Sequence, residues 1–103
     1  MEHIRGATFK KICTYKDRAG IVQNLTNVGI RAQIRTVDGT LIADVLVTKL
    51  PQVFPSIGQY FMVVQDTRAW PIGNAQADIE YTQSSDISIT ERIYMNIAEQ
   101  VTQ

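Results

Sequence analysis

"VGIRAQIRTVDGTLIADVLVTKL", residues 28–50, decides the fold. In its first part Ile30, Ala32 and Ile34 alternate with Arg31, Gln33 and Arg35. A period of two sends successive side chains to opposite faces of a strand, so the apolar set points to a core and the polar set to water. After Asp38 and Gly39 comes "TLIADVLVTKL", rich in β-branched residues. Asp-Gly between two alternating runs is a strong hairpin signal, because both residues tolerate the positive φ of a two-residue turn. Strands over 28–36 and 40–49 are therefore predicted to pair antiparallel.

Similar blocks extend in both directions. "ATFKKICTY" precedes the turn "KDRAG", "GQYFMVVQD" follows Pro51, Pro55 and Gly58, and "AQADIEYTQ" and "ISITERIYMNIAE" complete the chain, the last after "SSD". Short extended runs broken by aspartate, glycine, serine and proline every eight to twelve residues or so indicate an all-β sandwich or barrel. In the last block Ile87, Ile89, Ile93, Met95 and Ile97 share one parity, with Glu91 intruding. An edge strand with a bulge or bend near Glu91 fits that pattern. "KDRAGIVQNLTN" and "KLPQVFPSIG" read as loops, the second because its prolines exclude regular pairing. With 103 residues and no repeat or linker, residues 1–103 are expected to form one domain.

Ten lysines and arginines balance ten aspartates and glutamates, so the net charge is zero and no basic patch is available to displace counterions from phosphates. Nucleic acid is not an expected partner. Cys13, the single cysteine, sits in a strand-like run and reads as a small buried apolar residue. The start "MEHIRGATFKK" lacks the apolar stretch of a signal peptide, and no run approaches the ~20 residues that cross a bilayer, so no membrane contact is expected.

"DTRAWPIGNAQADIEY", residues 66–81, contains the only tryptophan. Pro71 favours an extended Trp70, Gly73 and Asn74 readily turn, and Ala77, Ile79 and Tyr81 then share a strand face opposite Asp78 and Glu80. Trp70 is expected to plug an end of the core rather than to stand in water as a ligand platform.

The ordered combination of "RGATFKK", "LTNVGIRAQIRTVDGTLIADVLV", "TRAWPIGNAQADIEY" and a terminal "NIAEQVT", from Arg5 to Thr102, resembles the small immunoglobulin-like β-sandwich proteins encoded among phage structural genes. It is similar also to the amino-terminal domain of phage baseplate upper proteins. The resemblance implies an immunoglobulin-like antiparallel β-sandwich of about seven strands. It further implies a non-catalytic assembly role in the virion of a phage or prophage, in the tail, baseplate or head-tail region, after synthesis in the host cytoplasm. Other virion proteins are the implied partners, with a homo-oligomer as a further possibility.

The residues carry no pattern for catalysis, metal binding or a cofactor. His3, the only histidine, lies near a terminus expected to be mobile, without a relay to an anchored base. Asp78 and Glu80 read as a solvated outer face, and Arg31 and Arg35 as ladder residues that Asp44 would join if the register permits. The candidate interaction residues are Val53 and Phe54, set between prolines that lower the entropy cost of presenting them; Phe54 either stands in water or folds back over the core. Edge strands offer a second means of assembly by sheet extension. An alternative of another class is a carbohydrate or host-surface binding module with Trp70, Gln76 and Asp78 as ligand contacts.

Overall fold

A computed structural model describes residues 1–17, 19–83 and 86–99, with only the backbone described for 86–89. Among these residues there are seven strands and no helix: β1 (Glu2–Ile4), β2 (Phe9–Thr14), β3 (Val28–Thr36), β4 (Leu41–Lys49), β5 (Gln59–Val64), β6 (Gly73–Gln83) and β7 (Asp86–Ala98). The all-β class and the strand blocks follow the period-two pattern. The expected turn at Ser84 and Ser85 and the inward placement of Ile87 and Ile89 lie outside the described residues.

The strands form one sheet in the order β1-β7-β6-β3-β4-β5-β2. Two separate sheets are what a sandwich leads one to expect. Here β4 joins the halves: Leu41 to Val45 pair with β3, and Leu46 to Lys49 pair with β5. The outermost strands, β1 and β2, are consecutive in the chain and separated only by residues 5–8, which draws the two edges of the sheet together into a nearly closed barrel. Among the described residues β1–β7 is the one parallel pairing, with Glu2, His3 and Ile4 opposite Asn96, Ile97 and Ala98.

Three local expectations are corrected. The amino terminus is a strand rather than a mobile tail, and His3 is buried within it. The β3–β4 connection spans four residues, Val37 to Thr40, closed by Thr36 N–H donating to Thr40 O (2.9 Å) and Gly39 N–H donating to Thr36 O (3.0 Å). Gly39 takes a φ of 96°, and the Asp38 carboxylate accepts from the Thr40 backbone N–H (3.1 Å), so aspartate organises the loop through its side chain. The irregularity in β7 lies at Ser88, where the register passes from Tyr81 opposite Ile89 to Thr82 opposite Ile87; Glu91 continues the ladder opposite Ile79. Glu91 thus has inward parity on a strand that β1 covers only at Asn96 to Ala98, where a charge discourages unplanned edge pairing.

The core lies inside the curled sheet. β6 contributes Ala75, Ala77, Ile79 and Tyr81, β3 contributes Val28, Ala32 and Ile34, and β5 contributes Tyr60 and Met62, all with 3% exposure or less. The Tyr60 and Tyr81 hydroxyls meet at 2.5 Å, and Tyr15 stacks on Tyr81 with ring centroids 4.2 Å apart. Burial raises Tyr81 to about 12 and pushes Tyr60 further up, so both stay protonated and one hydroxyl donates to the other. Cys13, half-buried beside Tyr60, is likewise pushed up by burial. Leu25 is fully buried although it belongs to the 15–27 connection, because its N–H and that of Gly58 both donate to Gln52 Oε1, at 2.8 and 3.0 Å. Leu25→Ala is expected to cost about 2–5 kcal/mol in urea unfolding, whereas Leu46→Ala at a surface position should change stability by no more than about 0.5 kcal/mol.

Candidate functional site

The strand topology gives the molecule two ends. Connections 5–8, 37–40 and 65–72 gather at one, and 15–27 and 50–58 at the other. Trp70 closes the first. It is 4% exposed and packs against His3 and Phe9, with centroid separations of 5.1 and 5.8 Å. The side chain that positions this cluster is Thr67, also fully buried. Its hydroxyl lies 2.6 Å from Ala7 O, 2.9 Å from Gly6 N and 3.2 Å from His3 Nε2. A hydroxyl has one proton, a carbonyl can only accept and an N–H can only donate. Thr67 therefore donates to Ala7, and His3 donates to Thr67 through a protonated Nε2.

A second proton on His3 would place a cation between two aromatic rings. Burial accordingly lowers its pKa from the ordinary value, and the Ala7 carbonyl only partly offsets this. Below about pH 6.5 the unfolded chain binds more protons than the folded one, so stability contributed by neutral His3 falls as pH drops. The melting temperature should thus fall between about pH 7.5 and pH 5, and fall less in His3→Gln. Native Trp70 emission should be blue-shifted and resist iodide quenching, and Trp70→Ala should cost about 3–5 kcal/mol in denaturant unfolding.

At the other end Phe54 stands in water at 89% exposure with Val53 at 63%, deciding between the two placements that the sequence leaves open. Gln52 anchors the loop beneath them: its Oε1 takes Leu25 N–H and Gly58 N–H, and its Nε2 donates to Leu50 O (2.6 Å). Gly58 fits because a Cβ there would lie 3.1 Å from the carbonyl oxygens of Gln23 and Tyr15 and 3.3 Å from Val22 Cβ, at a φ of 81° that already disfavours other residues. That close approach sets the 15–27 connection beside the proline loop and brings Ile21 (61% exposed) and Val22 (41%) to the same end. Sequence reasoning missed these two. Their signal is a β-branched pair after Gly20 inside a loop, where no strand alternation accounts for them.

The residues considered as ligand contacts do not converge. Trp70 faces the core, whereas Gln76 and Asp78 belong to the outer parity of β6. Gln76 is buried between its neighbours in register, Arg35 and Tyr94. Asp78 holds Arg92 at 2.7 Å, and that carboxylate, followed by the Tyr94 side chain, raises the arginine above its usual range. Asp44 does not reach Arg31 or Arg35 directly. Gln33 lies between, donating to Asp44 (2.9 Å) and accepting from Arg35 (2.8 Å). The outer face of β3, β6 and β7 forms an open concavity of about 530 Å³ lined by Asp78, Arg92, Tyr94 and the strand residues around them. Among the described residues no three His, Cys, Asp or Glu side chains gather where they would hold a metal ion. The chain matches no protein-family model and none of the curated proteins with which it was compared.

Proposed function

We propose that this chain is a non-catalytic structural and assembly protein of a phage or prophage particle, made in the host cytoplasm and built into the tail, baseplate or head-tail region. It acts by presenting a rigid apolar end to other virion proteins or to copies of itself. The observation that carries this reading is Phe54 at 89% exposure beside Val53, on a loop that Gln52 pins to the fold through four hydrogen bonds. An aromatic side chain held in water on a rigid support loses little entropy on docking, and such anchors dominate interface energies. Ile21 and Val22 widen the apolar surface at that end.

The same reading includes an immunoglobulin-like sandwich. In that fold the first, second, fifth and fourth strands form one layer and the third, sixth and seventh the other, an arrangement from which β1 departs by pairing with β7. The neighbour pairs β2–β5, β5–β4, β3–β6 and β6–β7 support it, with β1 lying beside β7 and β4 continuous with both layers. The alternative of glycan binding through Trp70 gains no support from a ring buried against His3 and Phe9.

The test is co-expression with the products of neighbouring genes, followed by gel filtration with light scattering. A ring of fixed copy number or a defined complex is expected, together with its loss in Phe54→Asp and Val53→Asp at an unchanged melting temperature. A chain that stays monomeric at about 1 mM and forms no complex with any of those products would overturn the assembly role.

A further inference from the structure

The polar face opposite the core is a second feature, and it is independent of the apolar end. Three strands present three aligned rows there: Arg31 beside Glu80 and Thr90, Gln33 beside Asp78 and Arg92, and Arg35 beside Gln76 and Tyr94. With strands ~4.8 Å apart and like-facing residues ~6.8 Å apart along each strand, the rows cover roughly 10 by 14 Å. The concavity over them holds about 530 Å³, within the range of small-ligand sites.

Its chemistry is specific in two respects. The outward side chains are three arginines, Arg31, Arg35 and Arg92, and two carboxylates, those of Asp78 and Glu80, so the face carries a single formal positive charge, too little to draw a polyanion. Within that set Arg35 and Arg92 are committed, to Gly39 O with Gln33 and to Asp78. Arg31 and Glu80 stand opposite each other in register, and no ion pair or hydrogen bond joins them among the described residues. A guanidinium only donates and a carboxylate only accepts, so the two together match a group that does both. Two rows further along, about 14 Å away at the strand repeat, Tyr94, at 65% exposure, offers a ring with an apolar face, a separation that two or three sugar rings span.

We infer that this concave face is a binding site for a neutral saccharide of two or three rings. Hydroxyl groups pair with Arg31 and Glu80, and the apolar C–H face of one ring packs on Tyr94. Each contact is exposed to solvent on at least one side, so affinity falls between millimolar and micromolar. The inference does not rest on the assembly reading, because Phe54 and Val53 belong to the other surface.

Nitrogen-15 NMR titration of the whole chain with maltotriose, cellotriose, tri-N-acetylchitotriose and a heparin trisaccharide-sized fragment tests it. Saturable shifts confined to β3, β6 and β7 with at least one neutral sugar are expected. Tyr94→Ala and Glu80→Gln should each weaken them by about tenfold or more, and Phe54→Asp should leave them unchanged. No saturable shift with any neutral sugar at about 10 mM overturns the site, as does binding of the heparin fragment alone, which would make the face a sulfate-reading surface. Equal binding in wild type and Tyr94→Ala overturns it as well. Both variants alter exposed or half-exposed side chains, and their spectra report folding directly.

Discussion

The structure depends on β6 having both edges hydrogen-bonded while one of its faces stays dry. Between β3 and β7, this strand has every residue from Gly73 to Gln83 in a ladder, and its inner row, Ala75, Ala77, Ile79 and Tyr81, is essentially inaccessible to water. A buried backbone group without a partner costs about as much as a lost hydrogen bond, so the strand needs neighbours on both sides. The small residues Ala75 and Ala77 leave room for large side chains from elsewhere. Tyr60 and Met62 of β5 fill the space, and the meeting hydroxyls of Tyr60 and Tyr81 satisfy the polar tips that those aromatic rings bring inside.

Closure follows from the same requirement. A curled sheet exposes the ends of its core, and the two ends here are treated differently. At one, Thr67 uses its single hydroxyl proton and its lone pairs to join the 5–8 and 65–72 segments, with His3, Phe9 and Trp70 packed above it. At the other, Gln52 does the corresponding work with its side-chain amide, holding two loops together while leaving their apolar tips outside. The first end is finished with a large aromatic plug. The second is also tied together by hydrogen bonds but displays hydrophobic surface, so the two ends differ in what they leave in water.

The outer face of β3, β6 and β7 is a polar ladder in which only some of the charges are paired. Exposed ion pairs contribute about 0–1 kcal/mol, so Arg92 with Asp78 adds little to stability. The pair instead holds two side chains in place beside Tyr94, while Arg31 and Glu80 keep their capacity for other partners. The apolar end and the polar face thus differ in chemistry, one exposing hydrophobic side chains and the other directed hydrogen-bonding groups.

Much of the fold is legible in the sequence. The alternation of Ile30, Ala32 and Ile34, the strand blocks and the extended entry of Trp70 follow from local backbone rules that act over a few residues, as does the exclusion of regular pairing around Pro51 and Pro55. Other features depend on segments far apart in the chain. No local pattern in Glu2 to Ile4 shows that they pair with Asn96 to Ala98, because strand partners are chosen by closure of the whole sheet. The burial of Thr67 and Gln76 is equally hidden, since polar residues go inside only where distant groups complete their hydrogen bonds or cover them. Val53 and Phe54 stand out as a candidate contact by composition alone, but their exposure and the company of Ile21 and Val22 come from the packing of one loop on another. The sequence by itself determined the strand blocks from β2 to β7 and the apolar side of β3 and β6, because both depend on short-range sterics and periodicity; only the tertiary structure decided that the amino terminus is a strand, the order of the strands, the sealed end and the displayed one, because those depend on contacts between residues separated by most of the chain.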